Sequence, residues 1–456
     1  MRESFMKHTA ALLGCAILAT TLTACGPSSE EPGAVVIRVQ GMPPATDKPG
    51  LAQFKQLVTD FERQNPGIRV EGSTTTFDPL TFSAKLAGGR AEEVIKVPLT
   101  EPQGLIARKQ VQPLTAELGK WAHYKEFNPQ VLQPLSDASG QVYGVPQAPF
   151  AQGLVYNRDL FTKAGLDPDK PPATWDEVRA AAKQITAKTG KAGFVHESKG
   201  NQGGWQLTML VYTHGGEIEK ESGGKYVAAF NADPAKKALG LLKQMRWTDD
   251  AMGSNQLNDQ NDVIKRFAAG EIGMYMGTPG TYRLAKMTYG MADTDAFGIG
   301  ALPQAGGNAT LTGGDVYLVP KSVSAEKAAA AVKWLLFAYA QPAYDATAAA
   351  ERARQLAADP KSAVGVPTLP MFDAAQQAKI DEAIKPYVNV RLEHFKPWLD
   401  GTPALSLRPE PPVRAQQVYA VLDTVVQAVL TDKDADVDAL LAKAETDVNA
   451  KLAASQ

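Results

Sequence analysis

The sequence predicts an α/β protein of two domains, with helices packed on mostly parallel sheets. Two observations carry that expectation. A chain of 456 residues with 44% apolar content is long enough to bury more than one core. Near its start, an apolar strand over Val35 to Val39 is followed by Leu51, Phe54, Leu57, Val58 and Phe61 at helical spacing, then by a strand over Ile68 to Val70. Strand, helix, strand is a βαβ unit, whose two strands lie parallel through a right-handed crossover.

The first residues read as a targeting segment. Arg2 and Lys7 form a positive n-region, and the apolar run from Ala10 to Ala19 is too short to span a bilayer. It ends in Leu22-Thr23-Ala24-Cys25, which resembles a bacterial lipobox. Residues 1–24 are then a lipoprotein signal peptide, Cys25 carries the lipid, and 25–34 is a tether to the membrane. Cys15 leaves with the signal, so no disulfide framework, thiol nucleophile or cysteine metal site remains. Basic and acidic residues number 47 and 49 and are scattered, which argues against a nucleic-acid surface.

Taken in order, Asn65-Pro66-Gly67 stops the first helix, Val94 to Val97 is a further apolar run, and Leu105 to Val111 a short helix. Gly140 to Val178 holds two extended runs, Tyr143 to Pro146 and Gly153 to Asn157, around a break at Pro146, Pro149 and Gly153. A short helix over Arg158 to Ala164 ends on Gly165, and Thr174 with Glu177 has capping-box spacing for a helix over Trp175 to Thr189. Phe194 opens a strand leading to Gly203-Gly204-Trp205, and Gln206 to Tyr212 reads as helix. Asp233-Pro234 starts another helix, with Ala238, Leu241, Leu242 and Met245 on one face. Asp262 to Phe267 is helical and Ala269 to Gly277 turns into a buried strand. Ser324 caps a helix ending at Pro342. From Ala343 the chain is helical, interrupted near Pro367, Pro370 and Pro409 to Pro412, and ends in helices over Val413 to Leu430 and Val437 to Leu452.

Four stretches carry a resemblance. They are FERQNPGIRVEG from Phe61, the run from Gly140 to Val178, AGEIGMYMG from Ala269, and Leu311 to Pro320. In this order they resemble family 1 extracellular solute-binding proteins, the receptors of carbohydrate ABC importers. The chain departs from the family at Ala91-Glu92-Glu93-Val94, where a Pro-Asp-Val is usual. The resemblance implies a periplasmic-binding-protein-like fold of type II, each lobe a mostly parallel sheet flanked by helices. Lobe 1 would hold 35–147 plus 302–341, and lobe 2 153–297 plus 345–456. Crossings would fall near 147–153, 298–302 and 341–345, with the ligand cleft between the lobes. It further implies a monomer that captures a carbohydrate ligand, uses no cofactor, and works with two permease subunits and their ATPase.

No constellation of catalytic residues stands out. There is no Walker A loop, no Gly-x-Ser-x-Gly elbow, and no second histidine for His196-Glu197 to make a zinc helix. The five histidines are dispersed. An exported two-carboxylate glycosidase stays open, as does a receptor for a glycerophosphodiester, polyamine or metal chelate.

A sugar receptor needs aromatic faces for pyranose C–H surfaces and short polar groups for hydroxyls, set in loops after strands. Gln40 follows the first strand, Thr76 and Phe77 the second, Thr100 and Glu101 the third. Phe150 sits in the first crossing, and Trp205 follows a Gly-Gly pair. Thr278 and Tyr282 follow the strand ending at Gly277, Gly314 and Asp315 follow the second crossing, and Arg391 lies in the C-terminal helical region. Each has a plainer reading: Trp205 as helix packing, Phe150 as a hinge plug, Phe77 as core, Glu101 and Asp315 as solvated charges. Trp175, Trp247 and Trp334 are assigned to core.

Overall fold

The computed structural model describes residues 33–454; the signal segment and Cys25 lie outside them. The opening βαβ unit forms as predicted. β1 (Val35–Gln40) and β2 (Ile68–Ser73) pair in parallel, Val35 opposite Ile68 and Gln40 opposite Ser73, with the helix Lys48–Gln64 between them. That helix buries Phe54 and Phe61 against Trp334, the Phe61 ring meeting it edge-on at 5.3 Å. β3 (Ile95–Pro98) follows, reached through a bridge from Val39 to Val94.

β4 (Gly144–Ala151) runs into β5 (Gly153–Asn157) with only Gln152 between them. β6 (Ala192–Phe194), the hairpin of β7 (Glu219–Ser222) and β8 (Lys225–Ala228), and β9 (Ile272–Gly277) come next. β10 (Phe297–Ala301) and the long β11 (Ala309–Leu318) follow, and β12 (Ser406–Arg408) lies near the C-terminus. One sheet has the order β10-β5-β9-β6; in the other, β11 is flanked along one edge by β12 and β3 and along the other by β4.

The α/β class holds, but the sheets are mixed rather than mostly parallel. Parallel pairs are β1–β2, β6–β9 and β11–β12, whereas β5 runs antiparallel to β9 and β10, and β11 to β3 and β4. The cause is topological. The chain passes from one sheet to the other through β4–β5 and returns through β10–β11, so outgoing and returning strands lie side by side in opposite directions. Helical crossovers, which enforce parallel neighbours, operate only elsewhere.

Pro146 and Pro149 do not break the first extended run but lie inside β4. A proline is tolerated there because β4 is an edge strand, bonded among the described residues only to β11. Ala148 takes a left-handed φ of 48°, opposite the register shift between Gly313 and Asp315 where Gly314 has φ 125°. This bulge bends the crossing ribbon.

The capping box at Thr174 and Glu177 is present, and Gly165 ends its helix in the left-handed region. Trp175 and Trp334 are core, as read. The helix at Trp205 begins at Gln202 rather than Gln206, because the two glycines open it instead of preceding it. One large core gathers Leu154, Tyr156, Trp175 and Leu210 with Val425 and Val448 of the C-terminal helices Ala415–Thr431 and Val437–Ala453. Leu302, Ala309 and Leu311 belong to that core as well. The segment after β10 therefore packs on the β5 side, and the chain changes side after Leu311 rather than at Leu302. Backbone bonds fix it there, Trp175 N donating to Gln304 O and Ala305 N to Thr213 O. A separate core holds Ile37, Phe61, Val145, Tyr317 and Trp334.

Candidate functional site

A hollow of about 320 Å³ opens where the crossing ribbon meets the end of β3. Its floor is the bulge, with Ala148 and Phe150 of β4 facing Gly313 and Gly314 of β11. Leu99 and Thr100 form one wall, and Glu410, just past β12, another. The bulge is locked by Leu99 N donating to Gly314 O at 2.9 Å and by the Thr312 hydroxyl donating to Phe150 O at 2.7 Å. Gly313 is needed because the Phe150 ring lies directly over its Cα; a Cβ would meet the Cε1 atom of that ring at 2.8 Å. Replacing Gly313 with Ala should swing the flexible phenyl into the hollow. We expect ligand affinity to fall about tenfold or more while the unfolding temperature moves little. An unchanged dissociation constant in calorimetry would sink that expectation.

The charged groups that line the hollow are acidic, Asp315 and Glu410. Asp315 pairs with Lys96 at 2.7 Å. The Thr100 hydroxyl donates to Glu101, whose carboxyl burial pushes up to about 7, with Arg108 pulling the other way. Burial raises the Glu410 carboxyl too, and the Trp205 indole N–H, which donates to it at 3.1 Å, pulls the other way. The Gln147 Oε1 atom is buried without a partner at the hollow's edge. On the other side of β4, a second hollow of about 490 Å³ shares Gln147, Ala148 and Phe150, and adds Thr278, Tyr339 and Arg352.

The structure brings Thr100, Phe150, Gly314 and Asp315 together at the first hollow, with Glu101 adjoining through Thr100 and Trp205 through Glu410. Thr278 lines the second hollow. Five of the expected residues lie away from both hollows. The Gln40 side chain is buried and spent on Glu92 and the backbone N–H of Lys96, tying β1 to β3. Phe77 packs on Phe82 at 5.2 Å, its plainer reading, and Thr76 beside it is exposed and lines neither hollow. Tyr282 is core, wedged against Phe297 and Phe395. Arg391 is exposed and paired with Asp295 at 2.5 Å. For Gln40, Thr76, Phe77 and Tyr282, a place at or after the end of a strand did not by itself bring the side chain to either hollow. Gln147 and Glu410 were missed. A glutamate between Pro409 and Pro411 was the available signal for the second.

Residues 45–342 match the family described as bacterial extracellular solute-binding protein. The chain belongs to that family. Among curated relatives of this solute-binding protein, the sn-glycerol-3-phosphate-binding periplasmic protein UgpB of Shigella dysenteriae is 26% identical over 263 residues, 54% of this chain and 59% of its own. The chain thus spans 59% of the length of the curated relatives it matches first. Among solved structures, the cyclic alpha-maltosyl-1,6-maltose binding protein of Arthrobacter globiformis superposes with a TM-score of 0.65 at 20% identity, covering 92% of this chain and 99% of the other. UgpB of Mycobacterium tuberculosis, in complex with glycerophosphocholine, gives 0.62 at 18%, covering 93% and 98%. The solute-binding protein shares their fold.

Proposed function

We propose that this solute-binding protein captures a sugar or oligosaccharide outside the cytoplasmic membrane and delivers it to the permease subunits and ATPase of an ABC importer, without turning it over. The hollow built on the crossing ribbon carries the proposal: it sets the aromatic Phe150 beside the polar Thr100, Asp315 and Glu410. Polar groups so placed discriminate sharply, because a wrong ligand leaves them unpaired. The two sheets are the cores of two lobes, hinged at Gln152 and after Leu311, and ligand contacts from both favour the closed form. The sequence at Leu22 to Cys25 supports anchoring by lipid on Cys25 at the outer membrane face, and the protein acts as a monomer. Maltosyl and tagatose-bound neighbours in the structural comparison support a sugar ligand. The glycerol-phosphate relatives favour the second reading, a phosphodiester receptor.

Thermal unfolding of the full-length protein against a broad sugar panel tests the proposal. A ligand of the folded state stabilises it by about 2.7 kcal/mol at a hundredfold excess over its dissociation constant. We expect one class of sugar to give that shift, to remain chemically intact, and to reduce the radius of gyration in small-angle scattering. Silence across the panel would remove the sugar, and an unchanged scattering profile at saturation would remove lobe closure.

A further inference from the structure

We propose that Glu410 fixes the charge of the ligand: the hollow admits neutral or amine-bearing polyols and rejects those that carry phosphate. This rests on the reading of the hollow as the ligand site. Two carboxylates line it, Asp315 and Glu410, and no lysine or arginine does. The cations nearby are already committed. Lys96 holds Asp315. Arg408 stacks over the Tyr212 ring at 4.0 Å, donates to Gly216 O at 2.8 Å and faces Glu217. The Arg108 Nε–H donates to Gln110. None of these cations lines the hollow, so the charged groups that meet a ligand there are the carboxylates of Asp315 and Glu410.

Glu410 is moreover held in place. Its Oε1 atom accepts the Trp205 N–H, and Trp205 stands on the helix Gln202–Thr213 against the large core. That bond holds the carboxyl in the wall of the hollow, where an incoming anion meets it. An incoming phosphate would have to face a fixed carboxylate or force it to take up a proton. A hydroxyl or ammonium group, by contrast, donates to Glu410 directly. Glu410 is thus a specificity-determining residue on the C-terminal segment, and its repulsion of anions matters as much as its attraction for donors.

The test is calorimetry with the full-length protein, wild type and Glu410→Gln, against maltose, D-mannitol, sn-glycerol 3-phosphate and glycerophosphocholine. Wild type should leave both phosphate probes unbound at pH 7.5, and the variant should bind at least one of them about tenfold or more tightly than wild type does. Circular dichroism checks that the variant is folded; if it is not, the wild-type titrations alone decide. Phosphate probes that bind wild type as tightly as the neutral ones would overturn the charge assignment and leave a solute receptor standing. If such binding disappears in Arg352→Ala, the ligand sits in the second hollow and the assignment is overturned in the same way. Silence from the phosphate probes in both forms also overturns the role of Glu410. Silence from a broad panel of neutral sugars would instead remove the sugar-receptor reading itself.

Discussion

Replacing Glu197 with Gln is expected to lessen the loss of stability as pH rises from about 6.5 to 8. Glu197 is 1% exposed and neither of its carboxylate oxygens has a partner. Burial, aided by the Asp259 charge, pushes its carboxyl up to about 8. The folded protein therefore binds a proton that the unfolded chain releases above its ordinary value of 4.5, so stability falls as pH rises between those two values. At pH 7 the proton uptake costs about 3 kcal/mol. Its neighbour His196 has the opposite sign. Burial lowers it to about 4, so it opposes folding as pH drops from 6.5 toward that value. Wild type should thus be most stable in mildly acidic buffer. The variant should gain on wild type steadily from pH 5 to pH 8, in chemical unfolding followed at several pH values. A gap between the two that stays constant with pH would show that Glu197 is not protonated in the folded protein.

The second large effect is expected from Gly204→Ala. Gly204 lies where the helix Gln202–Thr213 crosses the helix Ala415–Thr431, and a methyl there would meet the Tyr419 backbone, its Cα at 2.6 Å. Backbone cannot step aside as a side-chain tip can, so the helices must separate. Separation would also break the joint that Asp423 makes across the gap, accepting from Gly204 N and Asn201 N at 2.7 Å each. We expect a loss of about 3 kcal/mol or more. Gly240→Ala is the control. It sits mid-helix with open space around its Cα, so alanine should stabilise by about 0.5–1 kcal/mol. Denaturant titration of both variants separates crowding from helix propensity. A neutral Gly204→Ala would mean the two helices are not held at this spacing.

Much of the fold was legible because it rests on local rules. The stripe of Phe54 and Phe61, the capping box at Thr174 and the glycine stop at Gly165 each depend on a few neighbouring residues and their backbone geometry. The mixed sheets were not legible, because strand direction depends on which distant strand becomes the neighbour. β4 and β11 are paired across more than 150 positions, with Thr310 donating to Gln152 O over a sequence separation of 158. The candidate site follows the same division. Phe150, Gly314 and Asp315 were found because they lie on the crossing stretches themselves, where glycines and prolines mark the ribbon.

Gln40 and Tyr282 show the limit. Gln40 ends β1 and Tyr282 follows β9, but which way each side chain turns is set by its packing partners: Glu92 for the first, and Phe297 with Phe395 for the second. By itself the sequence determined the α/β class, the presence of the main helices, the family resemblance and the ribbon that joins the sheets. Only the tertiary structure decided that Glu410 meets Thr100 and Phe150 in one hollow. Hydrophobic periodicity and caps are encoded within a turn or two of chain, whereas a binding wall is assembled from segments some three hundred residues apart, brought together by burial of cores that say nothing locally of their partners.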